Sequence, residues 1–174
     1  MVDIAAHLRR RKHQDVTLGC LAAYFYASFG DIDSVRSIAS YYIGAEEPIP
    51  MDVALLAEGV VRQTDRGQLV IDIPAVPERT PRTSIEDSLR FTYSNQPAVE
   101  GGPILGRAPW FRSGWRLLDS AVIDSTATGW REAALTASQL LLPGHFASVD
   151  ASGLPALTSL LQTEMMMAGE EMFA

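Results

Sequence analysis

Cysteine, histidine and lysine are scarce in this chain of 174 residues, and their scarcity excludes several kinds of chemistry. A single cysteine, Cys20, excludes an internal disulfide framework and a thiolate-rich zinc site. The three histidines are too scattered in sequence to predict a metal site. The sequence also contains no phosphate-binding loop, nucleophile elbow or glycine-rich dinucleotide motif. His13 lies seven residues before Cys20, but the apolar neighbours of Cys20 favour a buried structural thiol over a catalytic one. The sequence therefore predicts a protein without metal, cofactor or enzymatic activity.

Positive charge is also low. The chain has 14 lysine and arginine residues against 21 aspartate and glutamate residues, which gives a net charge of −7. Residues 1–73 hold seven bases and ten acids, and residues 74–174 hold seven bases and eleven acids, so neither half is basic. Because phosphate backbones are bound by clustered lysine and arginine, nucleic acid is an unfavourable partner. Lys12 is the only lysine, and this skew toward arginine is typical of a GC-rich bacterial genome.

Long apolar runs are missing as well. No run approaches the roughly 18 apolar residues that a membrane-spanning helix requires. At the N-terminus the basic cluster at 9–12 follows a short apolar stretch, which reverses the order found in a signal peptide. We therefore predict a cytoplasmic protein that does not bind a membrane. The basic cluster itself either contacts an acidic partner or forms the exposed end of a helix.

The remaining composition is that of a folded protein, with 47% apolar and 20% charged residues. Changes in composition and in apolar periodicity along the chain divide it into three parts. The predicted parts are an N-terminal helical subdomain with a β-hairpin at 1–73, a connector rich in proline and glycine at 74–108, and a C-terminal helical subdomain at 109–174. The predicted fold class is mainly α, of the α+β type, with one hairpin and a C-terminal helical bundle.

Helix patterns at 15–28, 31–44 and 50–58 precede two strand patterns that flank the turn Asp65-Arg66-Gly67. This order is the outline of a winged-helix unit, but it also describes many unrelated small α+β folds. The segment 51–58 would be the recognition helix, yet it carries two acids and no base. Only Arg62 and Arg66 on the hairpin could contact phosphate. A winged-helix transcription regulator that binds DNA is therefore the alternative hypothesis.

The connector is expected to pack across the surface, or to be mobile and functional, because a structureless loop this long is unusual in a compact domain. Within it, residues 84–91 predict one or two helical turns. The C-terminal third predicts helices at 109–123 and 126–142 and a third from 152 onward.

One segment combines arginines with large aromatic side chains in a pattern typical of protein interfaces and of stacking platforms for single strands. The structural alternative is that the aromatic rings anchor a helix to the core, as Trp115 is expected to do. The predicted partner-binding residues in this segment are Arg107, Trp110, Phe111, Arg112 and Arg116.

The C-terminal end concentrates methionines beside acids, and a methionine-rich helix end can adapt to different partners. Met172 and Phe173 are accordingly predicted to dock a partner, and the alternative is a helix end packed on its own core. The function predicted from the sequence is a non-catalytic adaptor or regulatory subunit that binds another protein. A third hypothesis, a cysteine-dependent enzyme, requires a reactive Cys20.

Overall fold

The computed structural model describes residues 2–88 and 95–161, which form helices around one five-stranded sheet. The α+β fold class is thereby confirmed. Within the described residues, α-helices have these bounds: α1 Val2–Arg10, α2 Val16–Ser28, α3 Ile32–Gly44, α4 Met51–Leu56, α5 Ser84–Ser88, α6 Arg112–Leu117 and α7 Thr128–Ser138. The strands are β1 Ile49–Pro50, β2 Val60–Gln63, β3 Leu69–Ile73, β4 Val99–Leu105 and β5 Val122–Ile123. A 3-10 turn at Ser125–Ala127 precedes α7, and the chain is again helical at 154–161.

The sheet has the order β1-β4-β3-β2-β5. β2 and β3 form the predicted hairpin, and β3 continues antiparallel onto β4. The two edge strands are short and parallel to their neighbours, with Ile49 opposite Ile104 and Val60 opposite Val122. Sheet hydrogen bonds therefore cross both of the boundaries that the sequence analysis placed at 73 and 108. The division into three domains stays a prediction.

Two elements contradict the secondary structure expected from the sequence. β4 lies in the segment expected to be a connector, and β5 lies within the expected helix at 109–123. Glycine and proline are depleted in strands. The sequence therefore does not predict β4, which contains Gly101, Gly102 and Pro103. Close packing explains why position 102 is a glycine, since a Cβ there would lie 2.8 Å from Val99 Cγ1. Gly101 has a φ of +62° beside the register shift between Ile71 and Ile73, where the strand bulges.

Replacing Gly102 by Ala is expected to lower the free energy of unfolding by about 1–3 kcal/mol, because the added methyl overpacks the sheet. A Cβ at Gly102 would also lie 3.2 Å from the Cδ1 atoms of Ile43 and Ile49. Gly44→Ala is the matched control, since its Cβ would meet no atom within 4 Å. Urea unfolding of both variants checks the prediction, and equal midpoints would contradict the packing of β4.

The core lies between the helices and the sheet. α2 is apolar on nearly all sides and packs against α1, α3 and α4. Local signals begin the helices: the side chain of Asp15 accepts from Thr17 N, and that of Asp31 accepts from Ser34 N. All six residues of α4 are buried. Within the part of the chain that the structure describes, no helix has the length and apolar character needed to cross a membrane.

Candidate functional site

A buried carboxylate organises the segment around residue 110. Asp52 lies in the first turn of α4 and is fully buried. Its carboxylate accepts hydrogen bonds from Tyr24 Oη at 2.7 Å, from Trp110 N at 2.7 Å and from Phe111 N at 3.3 Å. Burial raises the pKa of Asp52, and the three hydrogen bonds act in the opposite direction. Asp52 therefore fixes the backbone of residues 110 and 111 to α2 and α4.

The turn that follows is tightly packed. A Cβ at Gly114 would lie 2.6 Å from Pro109 Cβ and 2.7 Å from Asp52 Oδ1, so only glycine fits there. The indole of Trp115 is buried and donates from Nε1 to the carbonyl of Pro109 at 2.9 Å. Trp115 is thus a core anchor, as the structural alternative predicted.

Residues 110–112 also pair with the chain near residue 146. Arg112 N donates to His145 O at 2.9 Å, and Ala147 N donates to Trp110 O at 2.8 Å. The ring of Phe111 is buried; it contacts Tyr24 edge-on with centroids 5.5 Å apart and stacks on Phe146 with centroids 5.2 Å apart. Phe146 is therefore held in place by a ring that is itself part of the core.

Phe146 is 60% exposed despite this stacking. Trp110 and Arg112 beside it are half-buried, and Arg116 is exposed one turn along α6 from Arg112. Among the residues that the structure describes, neither Arg112 nor Arg116 forms an ion pair. We call Trp110, Arg112, Arg116 and Phe146 the Phe146 surface. The adjoining segment has three more exposed leucines, Leu140, Leu142 and Leu154.

Two other predicted partner-binding positions lie elsewhere. Arg107 is buried and donates from Nε to Leu160 O at 3.0 Å and from Nη1 to Gly67 O at 2.7 Å. Its own carbonyl accepts from Trp130 Nε1 at 2.9 Å, so Arg107 joins the hairpin turn, α7 and the last described helix. Met172 and Phe173 lie outside the described residues.

The chain matches no protein-family model, no curated protein and no solved structure. Its function is therefore argued from geometry.

The hairpin arginines have different environments. Arg62 donates to both carboxylate oxygens of Asp72, at 2.6 and 2.7 Å, and Gly101 N donates to the same carboxylate at 2.7 Å. The hydrogen bond from Arg62 holds the pKa of Asp72 below its ordinary value. Arg62 would have to leave Asp72 to contact a phosphate, whereas Arg66 is exposed at the turn.

Cys20 and His13 do not form a nucleophile–base arrangement. Cys20 is fully buried in α2, and burial raises the pKa of its thiol, which disfavours the reactive thiolate. His13 is exposed in the turn between α1 and α2, so it does not share a helical face with Cys20. Across residues 2–88 and 95–161, no three histidine, cysteine or acidic side chains are grouped as metal ligands.

Sequence reasoning missed Phe146, Asp52 and Tyr24 as members of this site. Phe146 lies just after the expected helix at 126–142, in a segment for which the sequence predicts no binding role. In the sequence, Asp52 stands out only as one of the two acids in the segment 51–58, where it counts against DNA binding. No local pattern indicates that Phe146 or Asp52 lies beside residues 110 and 111, because these contacts join distant parts of the chain. Asp52 and Trp110, for example, are 58 positions apart.

Proposed function

We propose that the protein is a non-catalytic adaptor or regulatory subunit that binds another protein through the Phe146 surface. The observation that carries this proposal is the exposure of Phe146, a ring stacked on the buried Phe111 and yet 60% open to solvent. Aromatic and arginine side chains supply most hot-spot residues of protein interfaces. Because the ring is already held in one orientation, little side-chain entropy is lost when a partner covers it.

The charges beside Phe146 favour a partner that presents an apolar residue between acidic ones. Arg112 and Arg116 share a face of α6 and form no ion pair with a described residue. In a chain with a net charge of −7, this pair makes the site locally positive. Carboxylates on a partner would complement both guanidinium groups and set the orientation of binding.

Phe146→Ala is expected to weaken retention of a co-purifying protein by about 30-fold or more, the effect of losing a hot-spot residue. The matched control is Val122→Ala on β5, because Val122 is 55% exposed and lies outside the Phe146 surface. The measurement is quantitative affinity purification of tagged variants from the source organism. Equal retention by the two variants would refute this role of the surface.

The charge argument predicts a second effect. Arg112→Glu combined with Arg116→Glu is expected to reduce partner retention and to remove its sensitivity to added salt. Replacing both arginines by Lys, which keeps the charges, should preserve most of the retention. Loss of binding only in the lysine variant would show that charge is irrelevant.

Trp110 and the terminal residues are tested separately. Trp110→Ala is a better probe than a double Trp110 and Phe111 variant, because the ring of Phe111 is buried and its loss would disturb the fold.

Docking by Met172 and Phe173 remains part of the proposal. It requires that replacing both by Ala lowers retention while leaving the unfolding midpoint unchanged, and unchanged retention would remove them from the binding site.

The alternative function is DNA binding by a winged-helix unit. The buried α4, the pairing of β2 and β3 with flanking strands, and the Arg62–Asp72 ion pair weigh against it. The winged-helix arrangement and the C-terminal helical bundle stay predictions. The alternative expects a duplex to bind at low salt, with affinity that falls steeply as salt is added and is lost on replacing Arg62 and Arg66. The absence of binding at low salt would dismiss it.

A further inference from the structure

A cavity of about 670 Å³ opens between α1, α3 and the chain at 96–103. Its volume lies within the range of about 300–1,000 Å³ found for small-molecule sites. None of its lining residues belongs to the Phe146 surface. The cavity therefore needs an explanation of its own.

The walls of the cavity divide by chemistry. Arg9 and Lys12, from the end of α1 and the turn after it, supply two cations, and Glu100 is the one acid among the described residues that line the cavity. Ile43 and Val99 supply apolar surface. The cavity thus carries a net positive charge next to an apolar wall, within a strongly acidic chain.

Lys12 is partly withdrawn from water. Its Nζ lies 3.6 Å from the centroid of the Tyr41 ring and donates to Arg9 O at 3.3 Å. No carboxylate among the described residues pairs with it. Burial, reinforced by the nearby charge of Arg9, lowers the pKa of Lys12 to about 8. An anion in the cavity would stabilise the protonated ammonium group.

A second polar group in the cavity has an unused acceptor. Gln96 Nε2 donates to Ser37 Oγ at 3.0 Å, and Arg9 Nη2 donates to the same oxygen at 2.6 Å. The other end of the carboxamide, Gln96 Oε1, is buried and has no hydrogen-bond partner among the residues that the structure describes. Because this oxygen is closed to solvent, Gln96 contributes to the wall of the cavity without offering the acceptor to a ligand.

We propose that this cavity binds a small organic anion, in which a carboxylate or a phosphate monoester is joined to an apolar body. Lys12 faces the oxyanion, the buried charge of Arg9 adds to the positive potential behind it, and Ile43 and Val99 contact the apolar body. The inference does not depend on the proposed adaptor function, since the two sites share no residue.

Gly44 provides a way to block the cavity. Gly44 lines it at the end of α3, and a Cβ there would meet no atom within 4 Å. Gly44→Trp therefore adds a bulky side chain at the cavity from a Cβ position that has open space around it. Gly129→Trp is the matched control, because Gly129 also has open space around its Cβ and lies on the exposed side of α7.

Titration calorimetry of the whole protein with decanoate and with decyl phosphate tests the proposal. Saturable binding of at least one anion at a single site is expected, and the tighter of the two identifies the oxyanion. Gly44→Trp should weaken that binding by at least about tenfold, while Gly129→Trp leaves it within about twofold, since distant sites act independently. Decyltrimethylammonium, with the same chain and the opposite charge, should bind at least about tenfold more weakly than the anion.

Lys12→Gln tests the binding of the anion independently of Gly44→Trp, which is needed if the tryptophan variant fails to fold. Lys12 is only partly buried, and its replacement removes a desolvated charge, so the variant is expected to fold. Its affinity for the anion should fall by at least about tenfold through loss of a charge-assisted hydrogen bond. The proposal is overturned if neither anion binds, if the cation binds as tightly, or if Lys12→Gln binds the anion like the wild type.

Discussion

Replacing Asp52 by Ala is expected to lower the free energy of unfolding by about 3 kcal/mol or more, because three hydrogen-bond donors would lose their acceptor. Two are backbone N–H groups, of Trp110 and Phe111, and the third is Tyr24 Oη. A buried donor without a partner keeps the full cost of its removal from water. Water that enters the space left by the carboxylate would recover part of this cost.

Urea unfolding measures the effect, with Asp119→Ala as the control for an exposed aspartate. The control is expected to change stability little, as surface substitutions usually do. Asp52→Asn should fall between the two, because the amide keeps one acceptor oxygen but turns a donor toward the N–H groups. If Asp52→Ala were as stable as Asp119→Ala, the carboxylate would not hold this segment in place.

Replacing Phe111 by Ala is expected to cost about 3–5 kcal/mol, the usual range for a buried phenylalanine. The ring fills space between Tyr24 and Phe146, and its removal leaves a cavity that the fixed backbone cannot close. Phe146→Ala should cost only about 1 kcal/mol, since its ring is mostly exposed and loses one aromatic contact.

Thermal and urea unfolding of the two phenylalanine variants separate a core ring from a surface ring. Phe111→Leu, which retains most of the buried volume, should recover more than half of the loss caused by Phe111→Ala. A similar cost for Phe111→Ala and Phe146→Ala would contradict the difference in burial on which the Phe146 surface depends.

Local signals were sufficient to predict much of the N-terminal fold. Asp15 and Asp31 cap α2 and α3, the nearly uniform apolar character of α2 identifies it as a central helix, and the turn at 65–67 sets the hairpin. β4 could not be predicted in the same way. Gly102 is required by close contacts with Val99 and with Ile43 and Ile49. The two isoleucines are distant in sequence, so they leave no local pattern that would indicate a strand.

The candidate site was predictable only in part. The interleaved arginines and aromatics drew attention to residues 107–116, but composition alone does not separate the buried Arg107 and Phe111 from the exposed Arg116. The separation depends on tertiary contacts with Asp52 and with residues near 146. Phe146, the most exposed ring of the site, lies just beyond the expected helix at 126–142, where no sequence pattern indicates a binding residue.

The geometry assigns different roles to neighbouring residues. Asp52 and Phe111 position the segment, and Phe146 exposes an aromatic face that we propose a partner covers. Variants of the first two should therefore reduce stability and binding together. Variants of Phe146 should reduce binding much more than stability, and this difference separates a binding residue from a structural one.

A photo-reactive benzophenone side chain placed at position 146 tests the proposed role most directly. On illumination in the source cells, we predict a crosslink to one polypeptide, the same one that the wild type retains on purification. The crosslink should fade in the Arg112→Glu, Arg116→Glu background, and the same probe at position 122 should give none. Recovery of that polypeptide with no crosslink at 146, or with an equal crosslink at 122, would contradict binding through Phe146.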